Sequence, residues 1–522
     1  MNLSTGEGVI LPVWNVAEQP CLAVLFRQDA DAEELARLVP GGRPGATGAV
    51  GLRGALLAAH LIADVEVVSP AVESMVRRLL AALAVRVGGL DLVERDAWDD
   101  RLDGLLGAGR FEAEAVHAYF DAWGHRFDLF DPQRPFLQDP RLAAECSRQA
   151  PPARLVMPRA SGANQPWVDR APQTDPIASV GALGWLLAWR GYGPSGTGAQ
   201  RTHGAVDSKN MKAAPMRSLM SYHPVGESLF TSLVLSCPPP LAAPAAGVDL
   251  APWEADVLED PLVPAPVCGP VSLLSARTTH HVLLAPDVSG EQVVGCWVAW
   301  GARSDLPAAR DPFVIDRVKG GPVRASYRRA LLRDFDGFIH AKDPASAGWK
   351  GVILPGWLAV FADLPAEVLA GLSTVRVRAL GCHQEKQDRE THWYAVTTPA
   401  SLAPYLPSRH PARAARVAAT RLSAELAAAG LAKALRSAWR QMAPGDKECP
   451  WPDPATSEFW DRAEPLFWNA ITTDDTPPPR FTALALELFD SHTRPAATTA
   501  HGLLPIAKAR AALTHPRRKK AA

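Results

Sequence analysis

Few residues in this chain combine a reactive type with a useful spacing. The stretch "GYGPSG" puts glycines at 191, 193 and 196, the G-x-G-x-x-G spacing that can cradle a dinucleotide pyrophosphate. That chemistry needs a strand before the glycines and a helix after them. Here "GALGWLLAWR" ahead of them is patterned as a helix and "TGAQRTHGA" behind them shows no apolar period, so a flexible loop is expected instead. His280 and His281 are adjacent, and neighbouring side chains on a strand point to opposite faces, so they do not share a metal. Asp99 and Asp100 in "AWDDRLDG" read as loop or cap carboxylates rather than a general acid and base. There is no G-x-x-x-x-G-K-[ST], no H-E-x-x-H and no complete G-x-S-x-G. The seven cysteines lie far apart with no C-x-x-C pair, against both a disulfide framework and a thiolate zinc site. No catalytic residue, metal site or cofactor is therefore expected, and an enzyme is not.

What remains is polar and suited to binding. "GCHQEKQDRETHW", residues 381–393, lies between "TVRVRAL" and "THWYAVTT", two segments that alternate as strands do. The expected hairpin tip runs to about ten residues where two to five reverse a chain. By its residues alone it is a solvated loop. A second polar stretch, "SGANQPWVD", falls in the Pro- and Gly-rich run from Pro151 to Pro176, a long surface loop. Two basic trios, Arg409, Arg413, Arg416 and Lys433, Arg436, Arg440, recur at helical spacing, each expected as one strip on a helix. A solvated face explains such strips as well as a binding surface does.

The elements that must carry these residues follow from patterning. "SPAVESMVRRLLAALAVRVGG" is a helix with Ser69 to cap it, Pro70 in its first turn and Gly88 and Gly89 to stop it; Leu79, Leu80, Leu83 and Val87 share its buried face. Residues 50 to 130 are mostly helical. "HVLLAPD" and "VVGCWVAWG" flank the turn "PDVSGEQ" as a β-hairpin, and four helical patterns follow residue 405. The fold class expected is α+β: a mixed domain with β-hairpins and helices over residues 1–405, then a C-terminal four-helix bundle over 406–522. With 522 residues, 47% hydrophobic and 21% charged, the chain has the composition of a globular protein. No apolar run reaches the roughly 18 residues of a membrane span and no secretory leader opens it, so a cytoplasmic protein without a membrane partner is expected. The formal net charge is −1, but from residue 401 onward there are 17 Lys+Arg against 11 Asp+Glu, leaving 37 against 44 before it. A nucleic acid would be held by local patches and the basic C-terminal part.

At "YFDAWGHRFDLFDPQRPFLQDP", residues 119–140, the chain resembles the large, CasA-type subunit of the type I-E CRISPR Cascade complex. Arg126, Phe127, Asp128, Leu129, Phe130, Pro135, Phe136 and Gln138 fit that family's R-F-D-L-F and P-F-x-Q segments. "ILPVWN", "SGANQPWVD", "GYGPSGTG", the strands near residue 290, "GCHQEKQ" and the closing helices agree in order, over nearly the whole chain.

The resemblance implies a non-enzymatic subunit that joins a guide-RNA complex. It reads the protospacer-adjacent motif of foreign duplex DNA, begins unwinding and R-loop formation, and recruits the helicase-nuclease in antiviral defence. Its partners would be target duplex DNA, the other Cascade subunits with their crRNA, and that effector. The resemblance also implies site residues. Ser161, Gly162, Ala163, Asn164 and Gln165 form the loop near the motif, and Ser179, Val180, Gly181 and Ala182 a glycine loop just before the helix "LGWLLAW". Gln384 is the first choice for a wedge that blocks re-pairing, with Lys386 and Gln387 beside it. Arg409, Arg413, Arg416, Lys433, Arg436 and Arg440 would meet target strands or neighbouring subunits. One feature departs from the family: its lysine finger belongs in the first hairpin turn, but "PDVSGEQ" carries Asp287 and Glu291 and no lysine. The alternatives are a stand-alone nonspecific DNA-binding protein, whose salt dependence would ignore a guide complex, and a hydrolase with an unrecognised site.

Overall fold

The computed structural model describes residues 12–158, 174–326, 330–345, 348–384, 390–443, 445, 448–473 and 480–514. They fall into two compact units, Met1–Ala325 with Ile353–Thr397, and Ser326–Val352 with Thr398–Ala522. The fold is mixed α+β, small antiparallel sheets and helices followed by a helical bundle.

The first unit begins with β1 (Leu22–Phe26), α1 (Ala32–Leu38), β2 (Thr47–Val50), α2 (Leu52–Leu57) and β3 (Ile62–Val65), the strands ordered β2-β1-β3. Period-two alternation in "LAVLF" buries Leu22, Val24 and Phe26. Helix α3 (Pro70–Val87) has Pro70 at its start and stops at Gly88, with Gly89 at φ 65°. Ser69 occupies the N-cap position, but its hydroxyl makes no cap bond. One buried face is too narrow a description of α3, which is buried nearly all round, Arg77 and Arg78 included. Buried charge must be paired. Arg77 meets Asp64 at 2.7 Å and Glu73 at 2.8 Å, and Arg78 forks onto Asp311 while stacking over Phe313.

Helices α4 (Arg95–Ala108), α5 (Ala113–Trp123) and α6 (Leu142–Glu145) follow. Asp99 and Asp100 lie inside α4, neither loop nor cap, and Asp99 accepts from Arg95 one turn earlier at 2.7 Å, a pair that favours the helix. Then come β4 (Ile177–Ala178), α7 (Ser179–Tyr192), β5 (Gly196–His203), β6 (Val206–Met211), β7 (Met220–Val225), α8 (Leu229–Ser236), α9 (Pro270–Ser275), β8 (His280–Pro286) and β9 (Gln292–Trp300). After β10 (Asp316–Arg317), α10 (Leu332–Ile339), β11 (Val352–Ile353), α11 (Gly356–Asp363) and α12 (Ala366–Gly371) come β12 (Arg376–Gln384) and β13 (Glu390–Thr397). Two three-stranded sheets carry the hairpins, β4-β9-β8 and β13-β12-β7.

"TGAQRTHGA" is not a loop but strand β5, paired with β6. The apolar period is missing because its fully buried position holds Arg201. The glycines of "GYGPSG" close a helix and open a strand, the reverse of a dinucleotide site. They serve packing: a Cβ at Gly191 would lie 2.2 Å from Met75 Sδ, and one at Gly193 2.7 Å from His280 Nδ1.

In the second unit α13 (Pro411–Met442), α14 (Pro452–Thr472), α15 (Phe481–Ala497) and α16 (Leu503–Thr514) form the bundle. Val417, Ala424, Leu431 and Ala438 of α13 recur every seven residues and are buried, as are the bundle's Phe459, Phe467, Leu488 and Phe489. Helix α10, from an excursion that precedes the bundle in sequence, packs with it. Phe335 meets Trp468 edge-on at 5.0 Å, and Arg421 donates to buried Asp336 at 2.6 Å.

Candidate nucleic-acid interface

Helix α7 places the first predicted group. Strand β4 pairs with β9 through Ile177 opposite Val293, which delivers Ser179 to the β8–β9 turn. Its amide donates to the Glu291 carbonyl at 2.9 Å and its hydroxyl to the Gly290 carbonyl at 2.7 Å. The proposed glycine loop is therefore the first turn of α7 rather than a loop ahead of it, because these bonds let the helix start at Ser179. Ser179 and Ala182 are buried, whereas Val180 and Gly181 are exposed. First-turn amides have no acceptor within their own helix. Gly181 is not demanded by packing, since a Cβ there would make an ordinary 3.5 Å contact with Ile177.

The turn bonded to Ser179 is built by Asp287, whose carboxylate accepts from the Gly290 amide at 2.8 Å and the Ser289 hydroxyl at 2.9 Å. Gly290 has φ 77°, where glycine is favoured. At the tip stands Val288, 99% exposed, where a cationic finger would have been expected.

In the second hairpin β12 pairs with β13 from Arg378 opposite Thr397 to Gln384 opposite Glu390. The tip is thus shorter than the sequence suggested, since residues 381–384 and 390–393 belong to the ladder. Gly381 is required where β12 pairs with β7, opposite Met220: a Cβ would lie 2.7 Å from Met220 Sδ and 2.9 Å from Ala325 Cβ. Gln384, the expected wedge, is a ladder residue with both ends of its amide engaged. It accepts from the Ser218 amide at 3.0 Å and donates to the Tyr192 carbonyl at 3.3 Å. Lys386 and Gln387 lie outside the described residues, as do Ser161, Gly162, Ala163, Asn164 and Gln165.

Of the basic residues, Arg409 precedes α13, so the first trio is not one helical strip; only Arg413 and Arg416 share the helix, and Arg416 donates to the Thr473 carbonyl at 3.1 Å. Lys433, Arg436 and Arg440 are all exposed on the last turns of α13.

Sequence reading missed the polar hub beneath the β5 and β8–β9 strands. Arg201, fully buried, donates to Asp139 at 2.8 Å, to Glu145 at 2.7 Å and to the Trp300 carbonyl at 2.8 Å, and stacks over the Trp300 ring. Burial pushes the Asp139 carboxyl up, but the His281 hydrogen bond, Arg141 and Arg201 outweigh it and hold it well below the usual carboxylate range. His280 faces away from His281 as the strand period requires. Its Nε2 donates to the Pro194 carbonyl at 2.9 Å, and burial pushes its imidazole down to about 4. The "RFDLFDPQRPFLQ" residues are architectural. Asp128 accepts from the Trp14 amide, Phe127 stacks on Phe136, and Gln138 bridges the Leu129 carbonyl and the Leu284 amide.

Among the described residues no group of three or more His, Cys, Asp or Glu could hold a metal ion, and no helix is long and apolar enough to cross a membrane. The assembled features are two hairpins and an exposed helix start, without a reactive cluster among the described residues.

Residues 39–494 match the family described as CRISPR-associated protein Cse1. Over 96% of its length the chain superposes on all of a chain titled "CRISPR RNA-guided surveillance complex", at 33% identity and a TM-score of 0.82. The fold also matches Thermobifida fusca Cse1, with a TM-score of 0.73 at 18% identity, covering 96% of this chain and 97% of that one. A CRISPR-associated protein CasA/Cse1 of Thermus thermophilus is 28% identical over 335 residues, 63% of each chain, so the alignment spans less than two thirds of that relative.

Proposed function

The chain belongs to the CRISPR-associated Cse1 family, and on that premise we propose that it is the large subunit of an RNA-guided Cascade surveillance complex. In this reading it recognises a short protospacer-adjacent motif in foreign duplex DNA, starts unwinding and R-loop formation, and recruits the helicase-nuclease. The observation that carries the proposal is the likeness over essentially full length to a chain of such a complex. The physics is consistent with it. Guide pairing supplies sequence, so the protein needs only to find a brief duplex signal and open the first steps.

The loop Ser161–Gln165 is assigned to motif reading, because Asn164 and Gln165 carry amides that can donate to and accept from base edges. The exposed Val180 and Gly181 at the start of α7 offer first-turn backbone amides to a phosphate, and the missing Cβ of Gly181 allows close approach. With the Gln384 amide engaged, the wedge passes to the tip, Gln387 first and Lys386 as its phosphate contact. The strip Lys433, Arg436 and Arg440 would meet a displaced or target strand. The subunit works in the cytoplasm, by binding rather than cleavage.

The test is discrimination by the assembled complex between motif-bearing and motif-free duplex. Asn164→Ala with Gln165→Ala should reduce that discrimination by roughly 1 to 3 kcal/mol, the worth of a base contact. Equal weakening on both duplexes would show that the loop holds DNA without reading it.

A further inference from the structure

Helix α7 is tied at both ends. At its start Ser179 bonds the β8–β9 turn through the Gly290 and Glu291 carbonyls. At its end the Tyr192 carbonyl accepts from Gln384 Nε2 at 3.3 Å. Gln384 is in turn gripped by Ser218, whose amide donates to Oε1 at 3.0 Å and whose hydroxyl donates to the Gln384 carbonyl at 3.2 Å. Ser218 sits at φ 59°, a conformation that a residue other than glycine holds only where its surroundings over-determine it. Between these ends α7 has no slack. Trp189 Nε1 donates to the Leu155 carbonyl at 2.7 Å, the Tyr192 hydroxyl donates to Ser74 at 3.1 Å, and Gly191 packs its backbone against Met75. Fourteen helical residues make a rod of about 20 Å.

We infer that Gln384 and Ser218 are positioning residues that clamp the stem of the β12–β13 hairpin to the C-terminal end of α7. The helix then sets a fixed spacing between the β8–β9 turn and the hairpin. This inference rests on the proposed reading, in which the first end meets the motif and the hairpin separates strands. Gln384 acts through the hairpin it holds. To enter a base step, its amide would have to abandon the Ser218 amide and the Tyr192 carbonyl, both of which would lose their partner.

Two measurements on Gln384→Met, Ser218→Ala and the double variant test the clamp. The first is amide exchange of β12 and β13 in the free full-length chain. The second is opening of a closed motif duplex by the assembled complex, read by a fluorescent base analogue beside the motif. Gln384→Met should speed exchange at Gly381–Gln384 about tenfold, as loss of side-chain hydrogen bonds predicts, and slow opening by a similar factor. Affinity for the closed motif duplex should stay within about twofold, and a target already unpaired beside the motif should restore the rate. Ser218→Ala, which leaves Gln384 intact, should shift both readouts the same way, and the double variant should fall short of the product of the two because both break one link. Unchanged exchange in Gln384→Met overturns the clamp whatever the DNA does. Slow opening in Gln384→Met with wild-type behaviour in Ser218→Ala also overturns it and returns Gln384 to the wedge. If Gln384→Met does not fold, Ser218→Ala decides alone: unchanged exchange and opening overturn the clamp. A wild-type complex that never opens motif DNA refutes the functional reading, while the exchange result still judges the clamp.

Discussion

Arg201→Met removes the cation at the centre of the buried hub while keeping most of the aliphatic volume. The Arg201 side chain is fully buried, and its loss strips one partner from Asp139, which is 3% exposed, and one from Glu145. Removing one member of a buried ion pair typically costs about 3 to 5 kcal/mol, because the remaining charge is left without compensation. Here the lower end applies: Asp139 keeps Arg141 at 2.8 Å and His281 at 2.7 Å, and Glu145 keeps His203 at 2.7 Å. The hub joins β5 to β8 and β9, so the assay is amide exchange along those strands in the free chain. A loss of about 3 kcal/mol should speed exchange there by roughly 10²-fold. Arg201→Lys should recover only part of it, since a point charge cannot fork to Asp139, Glu145 and the Trp300 carbonyl together. Acceleration below about threefold in Arg201→Met would refute the reasoning, for it would mean that the hub's desolvation cost nearly cancels its attraction.

Two further outcomes are expected. His280 is neutral in the interior, its value of about 4 lying below that of the unfolded chain, so the unfolded state takes up the proton first. Its contribution is complete above about pH 6.5 and is lost as the pH falls toward 4; His280→Gln should flatten the decline in stability between pH 7 and 5 by about 2 kcal/mol, measured by denaturant titration at both values. Converting Lys433, Arg436 and Arg440 to glutamine should lower the salt dependence of target binding by about two to three units of slope, and an unchanged slope would leave the strip as a solvated helix face.

Local pattern alone settled much of this protein. Strand-like patterning in "TVRVRAL" and "HVLLAPD" predicted both hairpins, and apolar spacing predicted α3, α7 and the four bundle helices. These features depend on residues a few positions apart, so their signal is written contiguously. The tertiary structure alone decided what long-range polar partners decide. Gln384 looks like any polar residue near a hairpin tip until Ser218, 166 residues away, and the Tyr192 carbonyl occupy its amide. Strand β5 lacks an apolar period because its inward position is an arginine, legible as buried only once Asp139, 62 residues distant, is beside it. Residues 326–352 join the bundle because Asp336 meets Arg421, 85 positions later. A buried charge or amide takes its meaning from the group that satisfies it, and that group is brought close by folding rather than by sequence.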